Sequence, residues 1–153
     1  NQAMLKNKKY FHDMIGYNYR MTNICAAIGC GELMDLKDKL IKKKKIAEAY
    51  KYYLQEKNFI FQKELKNSVS SHWLISMLAA SVKNKKKIIK ILNKANIETR
   101  PIFVPMNKLP MYPTQKSYPV AEKIYSLGFS VPSYPDLSFK MVETISKLIK
   151  KVK

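Results

Sequence analysis

Every proline in this chain, seven in all, falls between positions 101 and 135. Proline fixes its own φ, offers no backbone N–H, and pushes the preceding residue out of the helical region. That window therefore cannot hold one long helix. IETRPIFVPMNKLPMYP, from Ile97, reads as an extended strand running into a rigid loop. YPVAEKIYSLG, from Tyr118, reads as a short helix with Pro119 in its first turn and Gly128 past its end, the places each residue favours. FSVPSYPDL, from Phe129, reads as a second proline-stiffened loop.

Outside the window, hydrophobic periodicity sets the elements. Residues 1–21 show no clean period. Thr22 or Asn23 can cap a helix through ICAAIGCGELMDL. Its small residues Ala26, Ala27, Gly29 and Gly31 cost helix propensity, which close packing has to offset. A longer amphipathic helix is expected near Asp35 to Glu56, apolar at Leu36, Leu40, Ala47, Tyr50 and Leu54. The lysine run 42–45 covers more than one of its faces and reads as a solvated stretch. FIFQ at 59–62 is strand-like, and HWLISMLAASV at 72–82 reads as a buried strand. NKKKIIKILNKANI reads as a helix with Ile88, Ile89, Leu92 and Ala95 on one side. SFKMVETISKLIKKVK reads as a C-terminal helix capped by Ser138. From position 59 the order is β, β, α, β, loop, α, loop, α. That order describes a small α/β sheet with helices on one face, preceded by long helices that belong to a different packing unit.

A length of 153 residues suits one domain with a real core. No stretch is long and apolar enough to span a membrane. The start, NQAMLKNKKY, lacks the apolar run of a signal peptide, and the missing initial methionine suggests a piece of something longer. Cys25 and Cys30 match no metal or redox spacing and are expected to be buried free thiols in a reducing cytoplasm. Ser/His/Asp order is absent too, and so is metal-ligand spacing. GCG at 29–31 lies inside a helix pattern with no strand before it, so it is no phosphate loop.

The formal charge is +18, and 27 of the 29 basic residues are lysine. The surplus reads mainly as compositional drift on solvated faces, since readers of nucleic acid lean on arginine. Against that drift, Arg20 and Arg100 stand out. Arginine offers a planar fork of donors suited to a carboxylate or phosphate. Both lie beside aromatic residues in segments fixed by glycine or proline. Of the two histidines, His72 reads as structural, while His12 sits in YFHDMIGYNYR, the richest polar and aromatic cluster of the chain.

YFHDMIGYNYRMTNICAAIGCGEL, IETRPIFVPMNKLPMY and YPVAEKIYSLGFSVPSYPDL together resemble the C-terminal half of the DegT/DnrJ/StrS sugar aminotransferases, with the perosamine synthase-like members the closer match. The resemblance runs in order along essentially the whole chain. It implies the small domain of the fold-type I (aspartate aminotransferase-like) fold. Residues 1–35 would be the tail of the large domain, 36–58 a connecting helix, and 59–153 the small α/β domain. It implies pyridoxal 5'-phosphate as cofactor, glutamate as amino donor and a nucleotide-linked keto-sugar as substrate, in a cytoplasmic homodimer with shared active sites serving cell-surface polysaccharide synthesis. Asn18 would reach the cofactor phosphate of the neighbouring subunit, with Arg20 at the same junction. Arg100 and Asn107 would border the substrate entrance, where many members carry histidine in place of Asn107. Tyr10 and His12 match an aromatic–histidine pair on the substrate side. None of the 27 lysines stands in the family's motif for the Schiff-base lysine, so the chain alone is expected to be inactive. A basic nucleic-acid-binding module and a non-catalytic fragment pairing through helix 23–34 are the competing readings. The family reading expects neither nucleic acid nor a membrane span.

Overall fold

The computed structural model describes residues 17, 19–57, 59–110, 112 and 116–152. The chain divides into two compact units, Asn1–Lys37 and Asp38–Lys153.

In the first unit, α1 spans Asn23–Met34. Thr22 is its N-cap, with Oγ1 accepting from the Cys25 N–H at 3.2 Å. No residue of α1 is buried. Ile24, Ile28, Leu33 and Met34 are all exposed, spread around the helix instead of along one stripe. The expectation of buried thiols is corrected for the same reason: Cys25 and Cys30 are exposed.

Helix α2 spans Leu36–Leu54, and its residues from Asp38 onward belong to the second unit and share its core, which corrects the expectation that both long helices form a different packing unit. It buries Ile46, Ala47, Tyr50 and Leu54; Leu36 and Leu40, expected on the apolar face, are exposed. Then come β1 (Ile60–Phe61), β2 (Ile75–Leu78), α3 (Val82–Lys94) and β3 (Arg100–Pro101). A single 3-10 turn at Met106–Lys108 precedes α4 (Pro119–Leu127), β4 (Gly128–Val131) and α5 (Phe139–Lys150).

Serine caps two of these helices. Ser81 Oγ accepts from Asn84 N–H at 3.1 Å, and Ser138 Oγ from Met141 N–H at 3.2 Å. Helix α3 ends in a Schellman motif. Asn96 takes a left-handed φ of 55°, its N–H reaching the Asn93 carbonyl while the Ile97 N–H reaches that of Leu92. Ile97 then packs on the core that contains Leu92.

The sheet order is β1-β2-β4-β3, with every neighbouring pair antiparallel. β2 and β3 therefore run the same way, with β4 inserted between them, and α3 makes the crossover of a split β-α-β unit. Phe129 and Val131 pair in register with Met77 and Ile75. Cross-strand partners share a face, so these four project together into the core. There they join Tyr50 and Leu54 of α2, Ile88 and Leu92 of α3, and Val142, Ile145 and Ile149 of α5. Burying a side chain such as Leu92, fully inaccessible, stabilises the fold by roughly 2 kcal/mol.

The expectation of a loop at 129–137 is half corrected. Gly128–Val131 is a central strand, buried at every position. It starts directly where α4 ends, and the proline-stiffened loop begins only after Val131.

Candidate functional site

The first unit places Arg20 two residues ahead of the α1 cap, exposed, beside Tyr17 and Tyr19. The two tyrosine rings stack at 5.7 Å with planes 26° apart. The first turn of a helix leaves N–H groups without intrahelical acceptors, so Arg20 stands next to a positive helix end. Guanidinium and helix end together favour an anion. Tyr10, His12 and Asn18 lie outside the described residues.

The second unit places Arg100 on edge strand β3, exposed and in register with Ser130. Arg100 thus shares the sheet face opposite the core with Ser130 and Ser76, whose hydroxyls bond at 2.8 Å. Arg100 also lines an open cleft of about 580 Å³ with Lys43, Trp73, Glu98, Ser130 and Tyr134. Trp73 and Tyr134 are both more than half exposed. Two cations beside two available aromatic rings suit a ligand that carries an anionic group and a planar ring.

Lysine 43 corrects the expectation of a solvated lysine run. Its Nζ donates to the Ser133 carbonyl at 2.6 Å and to the Trp73 carbonyl at 3.3 Å. Burial lowers its pKa from the ordinary lysine value. Ser133 Oγ donates to the same Trp73 carbonyl, and Tyr50 Oη donates to the Pro132 carbonyl at 3.1 Å. Lys42 pairs with Asp136 at 2.9 Å, and that hydrogen bond, more than its charge alone, holds the Asp136 carboxyl below its usual range. One side of α2 thus holds the 132–136 loop at the cleft rim. The signal was present: Lys43 stands at i with Ala47, Tyr50 and Leu54 at i+4, i+7 and i+11, on the buried stripe.

Asn107 is not among the residues lining that cleft. Its amide donates to Glu122 Oε1 at 3.1 Å. The Tyr118 N–H reaches the same oxygen at 3.3 Å, and Lys108 Nζ lies 3.3 Å from Oε2. Glu122 is the residue that sequence reasoning missed. The Tyr118 N–H, then Asn107, then Lys108 lower its pKa. The only sequence signal was its place in the first turn of a helix that opens on proline. His72 takes a left-handed φ of 48°, donates its N–H to Ser70 Oγ, and puts Nε2 3.8 Å from Glu64, in keeping with a structural role. Among the described residues, no group of three His, Cys, Asp or Glu could hold a metal, and no helix is long and apolar enough to cross a membrane.

Comparison with known proteins adds the family. The chain is 38% identical over 151 residues to GDP-perosamine synthase of Escherichia coli O157:H7 and 36% identical over 156 residues to that of Vibrio cholerae. These alignments cover 97% and 98% of this chain but 41% and 42% of the relatives. The chain thus spans about two fifths of their length. Among solved structures, the aminotransferase TlmJ from Streptoalloteichus hindustanus superposes with a TM-score of 0.85 at 19% identity, over 97% of this chain and 41% of that one. That likeness shows the fold of part of an aminotransferase, with the small sheet and helices as expected. Residues 1–150 match the DegT/DnrJ/EryC1/StrS aminotransferase family, and the chain belongs to it.

Proposed function

We propose that this chain is the C-terminal part of a pyridoxal-phosphate-dependent aminotransferase. It would move an amino group from glutamate to a nucleotide-linked 4-keto-6-deoxy sugar destined for surface polysaccharide. The observation that carries the reading is the family match along residues 1–150, joined by similarity to GDP-perosamine synthases over nearly the whole chain. In this reading residues 1–35 close the large domain, 36–58 connect it to the small domain at 59–153, and the later turns of α2 pack into the small domain's core.

The residues present fit the cofactor's phosphate. Exposed Arg20 at the start of α1 supplies a guanidinium and a helix end, and the amide of Asn18 adds a neutral donor. When bound, pyridoxal phosphate supplies the electron sink for amino transfer. In a homodimer with shared sites, Asn18 and Arg20 act on the neighbouring subunit's cofactor. Tyr10 and His12 belong to the substrate side in this reading. Arg100 binds an anionic group of the substrate or donor at the entrance. Asn107 acts through Glu122 to hold the proline loop in place. The cytoplasm, where nucleotide sugars are made, is the expected compartment.

Cofactor titration of the native-length protein tests this reading. It should take up pyridoxal phosphate, and Arg20→Ala should weaken uptake at least about tenfold through the lost charge-assisted hydrogen bonds. Native-length protein that takes up no pyridoxal phosphate would sink the reading.

A further inference from the structure

Helix α3 carries six lysines and no acid in its thirteen residues, and no Asp or Glu occurs from 65 to 97. At 100° per residue, Lys83, Lys87, Lys90 and Lys94 fall within about 60° of one another around the axis. This stripe lies on the side opposite buried Ile88 and Leu92. All four lysines are exposed, and the stripe runs about 16 Å along the helix. Lys86 flanks it, and a shallow hollow formed by Lys86, Ile89, Lys90, Asn93 and Lys94 runs beside it.

Some lysines elsewhere in the unit are neutralised by a neighbouring acid. Lys42, Lys108, Lys147 and Lys150 each find a carboxylate. Lys85, on the inner side of α3, donates to the Tyr125 carbonyl at 2.9 Å and lies 5.9 Å from that ring's centre. Among the described residues, none of Lys83, Lys86, Lys87, Lys90 and Lys94 pairs with an acid. Like charges gathered on one helix face repel, a cost that an anionic partner would relieve.

We propose that the outer face of α3 is a docking surface for a bilayer bearing anionic headgroups. Clusters of four to eight basic residues on an amphipathic helix are the pattern that anionic headgroups attract. Lysine, a strongly hydrated point charge, suits delocalised attraction to many headgroups. The stripe carries no arginine for base edges or phosphate forks and no aromatic ring for stacking bases, which favours a bilayer over nucleic acid. The apolar side of α3 is committed to the core, so attachment rests on charge and leaves the fold unchanged.

Sedimentation of the native-length protein with vesicles tests this. Binding to phosphatidylcholine vesicles containing phosphatidylglycerol should exceed binding to phosphatidylcholine alone and should weaken as salt rises. The fourfold variant K83Q/K87Q/K90Q/K94Q should lose affinity at least about tenfold. A control, K66Q/K123Q/K140Q/K151Q, removes the same charge from exposed positions elsewhere and should change affinity less than about twofold. Circular dichroism checks that both variants fold. Equal losses in the two variants, no preference for anionic vesicles, or tighter retention by an RNA duplex that displaces the vesicles would each overturn the proposal.

Discussion

At the start of α4, one carboxylate gathers three donors from the proline-rich loop. Glu122 is held below its ordinary pKa of 4.5 by the Tyr118 N–H, then Asn107, then Lys108. A depressed folded-state pKa gives stability that is present above the unfolded value and lost as pH falls through the folded value. Glu122→Gln should therefore lower the urea midpoint at neutral pH, and its gap to the parent protein should close as pH falls below 4.5. A gap that stays constant into acid would contradict this role. Tyr50 provides a second case, fully buried and bonded to the Pro132 carbonyl. Burial, ahead of its neighbour Tyr134, raises its pKa far above the ordinary tyrosine range, so the hydroxyl stays a donor. Tyr50→Phe should cost about 1–2 kcal/mol in urea unfolding by stranding that carbonyl. The Asn107–Glu122 and Tyr50–Pro132 bonds were not legible in the sequence, since each joins residues whose nearness the fold creates. Arg20 and Arg100 were legible as exceptions to a lysine drift, and Lys43 was readable from its place on the buried stripe.

Among the elements, the helices and three of the four strands fall inside segments that the sequence marks as such, and β4 does not. Thr22 and Ser138 cap where the sequence marks caps, whereas Ser81, read as the end of a strand, caps α3, and β2 stops at Leu78. β4 was hidden because four residues are too few to show a period, and because Pro132 and Pro135 drew the whole segment into a loop reading. Its first residue explains the direct join with α4. A Cβ built on Gly128 would lie 2.5 Å from the Ile124 carbonyl oxygen and 2.5 Å from Ile102 Cγ1. The carbonyl belongs to backbone and cannot swing aside. Gly128→Ala should therefore destabilise by about 1–3 kcal/mol, with hydrogen exchange quickening first along β4 and β3. A variant as stable as the parent would mean the join is looser than these distances require.

Across the whole molecule, the sheet order β1-β2-β4-β3 rests on pairings between strands far apart in sequence, which local pattern does not encode. The small α/β architecture was readable as an order of elements, but the insertion of β4 between β2 and β3 was not. The family was readable because its motifs run in order from Tyr10 to Leu137, and the match over residues 1–150 bears that out. The chain also covers only about two fifths of its relatives. In the proposed function, residues 1–153 hold one share of a site completed by the rest of the protein. The most direct test is amino transfer itself. Native-length protein and residues 1–153 alone are each incubated with pyridoxal phosphate, glutamate and a GDP-linked 4-keto-6-deoxy sugar, and the amino sugar is measured by mass spectrometry. The expected result is amino sugar from the native-length protein and none from residues 1–153; no product from the former, or turnover by the latter, would contradict it.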